Sequence, residues 1–101
     1  SIGETAESVV KATTSQFVQE ILGPLIENDH QKHSDLIKTL DYYFEYAGNV
    51  KRISEEMFTH YNTIAYRIKS IQEITKKDLH NRNDHFLLEA AVYLYKFKVR
   101  F

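Results

Sequence analysis

The stretch that decides the fold runs from Asn49 to Ile74 and reads NVKRISEEMFTHYNTIAYRIKSIQEI. Asn49 is a favoured helix-capping residue type, and the apolar residues that follow it predict a short helix. Thr59 and His60 interrupt this pattern, and isoleucines then recur at positions 64, 68, 71 and 74. That spacing predicts a second, longer helix with one apolar face. A short helix, a brief break and a longer helix together predict a helix-turn-helix.

The apolar side chains of these two helices predict the core that they share. Ser54 is small at the place where the first helix must approach the second. The side chains predicted to face inward from the first helix are Val50, Ile53, Met57 and Phe58. The side chains predicted to hold the two helices at their angle are Ile53, Ser54, Met57, Ile64 and Ile68.

The rest of the chain also shows helical periodicity, with one proline and three glycines as breakers. Gly23 and Pro24 are expected to end the first helix, because proline cannot continue the hydrogen-bond ladder. Ser34 or Asp35 is expected to cap the second helix, and Asp84 the last. We therefore predict an all-α fold, a small bundle of about five helices with an embedded helix-turn-helix.

Two segments are predicted along the chain. Residues 1–14 are small and polar, which is typical of a linker or of the end of an upstream domain. Residues 15–101 are predicted to form a helix-turn-helix DNA-binding domain, with Ser15 as the cap of its first helix. Position 1 is serine rather than methionine, so we expect further sequence upstream.

Composition limits the class of protein. The 101 residues contain no cysteine, which removes disulfides and thiolate zinc sites and fits a cytoplasmic protein. No apolar run approaches the roughly 20 residues that span a bilayer. Neither a phosphate-binding glycine loop nor a nucleophile motif is present, so neither an enzyme nor a cofactor is expected. His30 and His33 are too few ligands for a zinc site.

Charge is distributed unevenly, although the net charge is only -1. Residues 50–82 contain seven Lys and Arg against four Asp and Glu, a local balance of +3. Attraction to phosphate depends on such local patches rather than on the total. The positive charge therefore favours nucleic-acid binding at the helix-turn-helix, although a balance of this size also occurs as ordinary surface scatter.

Polar side chains at the start of the longer helix are candidates for contacting DNA, because N-terminal residues of a recognition helix reach base edges. The recognition helix is predicted at about residues 61–74, in the major groove of double-stranded DNA. Candidates for base or nearby phosphate contacts are His60, Tyr61, Asn62, Thr63 and Tyr66. Candidates for phosphate contacts are Lys51, Arg52, Arg67 and Lys69. Arg67 lies beside the apolar stripe, and an ion pair with Glu55 or Glu56 is its alternative.

The same residues resemble the C-terminal helix-turn-helix of the PucR/CdaR family of bacterial transcriptional regulators. The elements of the family pattern appear here as Gly48-Asn49, Met57-Phe58-Thr59-His60, Asn62-Thr63-Ile64, Tyr66-Arg67-Ile68 and Ile71-Gln72-Glu73. The resemblance extends over about residues 17–97. Two positions depart from it, since Tyr61 and Ala65 stand where the family commonly has arginine.

The resemblance implies the C-terminal output domain of a transcription regulator. It also implies sensory domains upstream, where an effector would bind. Because one domain of modest charge binds DNA weakly, we expect the full-length protein to act as a dimer or larger assembly. The alternative reading is an α-helical module that docks or dimerises through protein contacts without binding DNA.

Overall fold

The computed structural model describes the backbone of residues 5–99 and the side chains of residues 5–97. This part of the chain contains five α-helices and no strand, which confirms the all-α prediction. The helices are α1 (Ala6–Lys32), α2 (Leu36–Glu45), α3 (Val50–Glu56), α4 (Tyr61–Thr75) and α5 (Arg82–Val99). Among the described residues, no helix is long and apolar enough to cross a membrane.

The first helix is longer than predicted and does not end at Gly23 and Pro24. α1 continues through both residues and is 27 residues long in total. Its N-cap is Thr5 rather than Ser15. Leu22 and Leu25 flank the break signal and are fully buried, so packing offsets the cost of about 3 kcal/mol that an internal proline carries. Pro24 itself is exposed.

The corner between α1 and α2 is held by Asp29, an acid inside α1. Its carboxylate accepts hydrogen bonds from the backbone N–H groups of Leu36, at 2.7 Å, and Ile37, at 2.9 Å. Asp35 occupies the N-cap position but makes no capping hydrogen bond with its side chain. The predicted caps, Ser34 and Asp35, are therefore wrong. The start of α2 is instead capped by Asp29, seven residues before the first residue of that helix.

One apolar core joins four of the five helices. Its buried members are Val18, Leu22, Leu25, Leu36, Leu40, Ile71, Leu79, Leu88, Ala91 and Val92. α5 packs along α1 and against α2, and within the described residues its backbone does not approach α3 or α4. The helix-turn-helix therefore lies at one side of a scaffold made by α1, α2 and α5.

The last helix also begins differently from the prediction. α5 starts at Arg82, and the Asn81 side chain caps it by accepting from the backbone N–H of Asp84 at 2.9 Å. Asp84, the predicted cap, instead accepts from the backbone N–H of Asp78 at 3.0 Å. Its carboxylate therefore fastens the α4–α5 loop to the start of α5.

A tight turn places α3 against α2. Ala47 and Gly48 both have positive φ, 51° and 74°. A Cβ on Gly48 would meet the Tyr43 ring at 3.0 Å, so glycine is required here for space as well as for conformation. The following Asn49 caps α3 as predicted, since its side chain accepts from the backbone N–H of Arg52 at 3.1 Å.

Candidate nucleic-acid interface

α3 and α4 pack against each other as the predicted helix-turn-helix. Ile53 of α3 and Ile64 of α4 are both fully buried. The turn between the helices is residues 57–60, and Thr59 donates its backbone N–H to the Ser54 carbonyl at 2.9 Å. The two buried side chains and this turn therefore determine the orientation of α4 and which of its faces is exposed.

One inward prediction for α3 is wrong. Phe58 is 96% exposed and has a φ of 51°. Its backbone N–H reaches the Glu55 carbonyl at 3.2 Å, which together with the Thr59 bond closes α3 in a Schellman motif. The left-handed residue of this motif turns the chain away from the helix axis, and the ring goes outward with it.

The outer face of α4 is a polar stripe opposite the buried isoleucines. Residues on an α-helix advance by about 100°, so positions 62, 66, 69 and 73 share one side. All four are exposed, whereas Ile64 and Ile71 on the opposite side are fully buried. The stripe consists of Asn62, Tyr66, Lys69 and Glu73. We call these four residues the outer stripe.

Three further predicted contact residues surround the start of α4. His60 is the N-cap, and its Nδ1 accepts a hydrogen bond from the backbone N–H of Asn62 at 3.1 Å. This places the proton of the neutral ring on Nε2, the nitrogen left available to a ligand. Tyr61 is 51% exposed and Thr63 is exposed. The structure thus brings His60, Tyr61 and Thr63 to the same end of the helix as Asn62.

His60 is expected to stabilise the domain as the N-cap of α4. His60→Ala removes the cap and should lower the free energy of unfolding by about 1 kcal/mol. His60→Asn restores a capping acceptor and should recover most of that loss, which urea denaturation would measure. If the alanine variant is as stable as the wild type, the Nδ1 hydrogen bond is not a working cap.

The predicted phosphate-binding cations have different surroundings. Lys51 and Lys69 are exposed, and neither forms an ion pair among residues 5–97. Arg52 is also exposed, but its Nε donates to Glu56 at 2.9 Å and its guanidinium lies 5.0 Å from the centre of the Tyr46 ring. The hydrogen bond to Glu56 raises the pKa of Arg52 above its ordinary value.

Arg67 does not form the alternative ion pair with Glu55 or Glu56. Glu56 is taken by Arg52, and Arg67 is half-buried in a cleft of about 500 Å³ between α4 and the end of α1. Lys32 of α1 lines the same cleft. Sequence reasoning missed Lys32, because the predicted first helix ended at Gly23 and offered no reason to bring residue 32 beside α4.

Removing the acid that occupies Arg52 should strengthen binding to DNA. Glu56→Gln frees the guanidinium and deletes one negative charge, so we expect DNA affinity to rise about threefold at low salt. Glu20→Gln on α1 removes an equal charge far from α3 and serves as the matched control. Fluorescence anisotropy with labelled duplex DNA measures both, and an affinity unchanged by Glu56→Gln would place Arg52 away from the phosphates.

The fold and the exposed stripe define a helix-turn-helix domain, in which a short helix supports a longer helix whose polar face is free to meet a ligand. Residues 36–94 match the family model described as the PucR C-terminal helix-turn-helix domain, and the chain belongs to that family. The matched segment contains α2, α3, α4 and most of α5.

Three relatives of known role are similar to more than half of the chain. It is 34% identical over 73 residues to the DNA-binding transcriptional activator AdeR of Bacillus subtilis, covering 72% of this chain and 17% of that protein. It is 36% identical over 64 residues to the proline-responsive transcriptional activator PutR of the same organism, covering 63% and 16%. It is 33% identical over 76 residues to the carbohydrate diacid regulator of Escherichia coli, covering 74% and 20%.

The chain spans a fifth or less of the length of these three relatives. No solved structure matches it significantly.

Proposed function

We propose that this domain binds double-stranded DNA with α4 in the major groove, as the output module of a bacterial transcription regulator. The observation that carries the proposal is the outer stripe of α4. It presents an amide, a phenol and an ammonium group on one exposed face, while the opposite face is fixed in the core. Family membership and relatives named as transcriptional activators support it.

In this proposal the start of α4 reads bases. Asn62 suits adenine, because its amide can donate and accept at the N6 and N7 edge. Tyr66, one turn further on, is 70% exposed and can reach a base or a neighbouring phosphate. His60, Tyr61 and Thr63 supply further hydrogen-bonding groups at the end that enters the groove. Tyr61 and Ala65 replace arginines common in the family, so either the preferred sequence should differ from that of relatives or the affinity for DNA should be lower.

The cations position the domain without reading sequence. Lys69 lies on the outer stripe, and Lys51 and Arg52 lie at the start of α3, where a first helix crosses the sugar-phosphate backbone. Arg67 shares its cleft with Lys32, which adds a cation from α1 to the same side of α4. Glu73 also lines that cleft and should keep phosphates toward the N-terminal half of α4.

The full-length regulator is proposed to act in the cytoplasm as a dimer or larger assembly, with effector binding in upstream domains. A second domain would place a second α4 on a second half-site and raise the effective concentration of each. Five cations, of which Arg52 is also paired with Glu56, give only moderate affinity for one domain alone.

Salt dependence tests the proposal. We expect the domain to bind labelled genomic DNA fragments and to lose affinity by roughly 40- to 150-fold between about 50 and 200 mM salt, as three or four phosphate contacts require. An α-helical module that docks only proteins would bind no DNA even at the lower salt concentration and high protein concentration. That result would favour the protein-interaction alternative.

A further inference from the structure

Phe58 combines two features that are each unfavourable for a folded domain. Its side chain is 96% exposed, more than any other exposed large apolar side chain that the structure describes. Its backbone is left-handed, with a φ of 51°. A phenylalanine ring gains nothing from burial here, and its Cβ crowds the backbone in this conformation.

Glycine would be more stable than phenylalanine at position 58. Phe58 occupies the left-handed position of the Schellman motif that ends α3, where glycine is usual because it has no Cβ. The motif depends on backbone groups of Phe58 and Thr59, and the ring takes no part in it. Among residues 5–97 the ring also makes no ring–ring contact. The structure of the free domain therefore provides no reason for an aromatic residue at this position.

The location of Phe58 indicates what the ring meets. It lies two residues before His60 and three before Tyr61, in the turn that leads into the N-terminal end of α4. When that end enters the major groove, the turn lies at the groove edge. Two apolar surfaces of DNA are available there, the thymine methyl groups and the faces of the deoxyribose rings.

We propose that Phe58 contacts this apolar surface of DNA at the edge of the groove that α4 enters. The inference rests on the proposed DNA-binding function and adds an apolar contact to its polar ones. Burial of the ring against DNA provides the hydrophobic free energy that the exposed ring does not gain in the free domain. The Phe58 side chain therefore favours DNA binding and lowers the stability of the free domain, a combination typical of functional positions.

Two substitutions test the proposal without breaking the turn. Phe58→Gly and Phe58→Asn both suit a left-handed residue and both lack the ring. We expect the glycine variant to raise Tm by about 4 °C, because it relieves the crowded Cβ. We expect both variants to bind genomic DNA fragments roughly tenfold more weakly than the wild type. Phe86→Ala removes another exposed aromatic ring, on α5 away from α3 and α4, and should leave DNA affinity unchanged.

DNA prepared with uracil in place of thymine distinguishes the two apolar surfaces. If Phe58 contacts thymine methyl groups, the wild type loses affinity for uracil DNA and the glycine variant loses much less. If it contacts deoxyribose, both proteins bind the two DNAs in the same ratio, while the loss caused by Phe58→Gly remains.

The result that overturns the proposal is a folded Phe58→Gly variant that binds DNA as tightly as the wild type. The ring would then be free for a protein partner. A wild-type domain that binds no DNA overturns both this proposal and the proposed function. Wild-type binding that survives in Phe58→Gly but weakens in Lys69→Ala overturns this proposal alone.

Discussion

Ile64→Ala is expected to lower the free energy of unfolding by about 3 kcal/mol, the largest stability effect that we predict. Ile64 is fully buried near the start of α4, the helix that packs against α3. Removing three carbons leaves a cavity beneath the start of α4, and the surrounding backbone can collapse only partly. For a domain of this size the change corresponds to a fall in Tm of roughly 12–24 °C, measurable by circular dichroism.

Val10→Ala is the control for this loss. Val10 is an exposed apolar residue of α1, so its truncation should change stability by no more than about 0.5 kcal/mol. DNA binding by Ile64→Ala should also weaken at temperatures where the variant is still folded, since α4 is then less firmly held. A Tm shift equal to that of Val10→Ala would mean that Ile64 does not join the two helices.

Asn62→Ala and Lys69→Ala are expected to weaken DNA binding in different ways, the largest functional effects that we predict. Asn62 is placed to read a base, so its loss should reduce the preference for a selected site over bulk genomic DNA by about tenfold or more. Lys69 is placed to meet a phosphate, so its loss should weaken binding to all sequences alike. The salt slope of Lys69→Ala should also fall by about 1.

Competition assays with a site selected from genomic fragments measure both effects. Lys11→Ala is the control, because Lys11 is an exposed cation in the N-terminal half of α1, far along that helix from the cleft with α4. If Asn62→Ala and Lys69→Ala lower affinity by the same factor for every sequence, Asn62 does not read a base. Negligible effects from both would place the DNA on another face of the domain.

The helix-turn-helix could be predicted from sequence because its signals are local. Asn49 caps α3 through its own side chain, and the apolar spacing of Ile64, Ile68 and Ile71 marks one face of α4. Such caps and periodic stripes act over one or two helical turns. The boundaries of α3 and α4 therefore follow from residues that lie within those helices or next to them.

The first helix could not be predicted in this way because packing over long distances decides it. Gly23 and Pro24 form a strong local break signal, yet α1 continues through them while Leu22 and Leu25 stay buried. The start of α2 is similar, since its cap, Asp29, lies in the preceding helix. A local sequence window does not contain these partners.

The surroundings of the candidate site could not be predicted from the sequence, and the DNA contacts of its residues stay predictions. Lys51 and Arg52 lie on α3, and Arg67 is half-buried. The other predicted contact residues lie at the start or on the outside of α4, namely His60, Tyr61, Asn62, Thr63, Tyr66 and Lys69. The structure also shows that Arg52 is engaged by Glu56, that Arg67 shares a cleft with Lys32, and that Phe58 points outward. Each of these depends on a neighbour or on a backbone conformation that residue type alone does not specify.

The central claim, that α4 enters the major groove, is tested most directly by methylation interference on a site selected from genomic fragments. Dimethyl sulfate modifies guanine N7 in the major groove and adenine N3 in the minor groove, which are distinct faces of the base pair. We predict that guanine methylation within the bound site blocks binding by the wild-type domain, whereas adenine methylation there does not. Interference from adenine N3 alone would contradict the account, because it would place the domain in the minor groove.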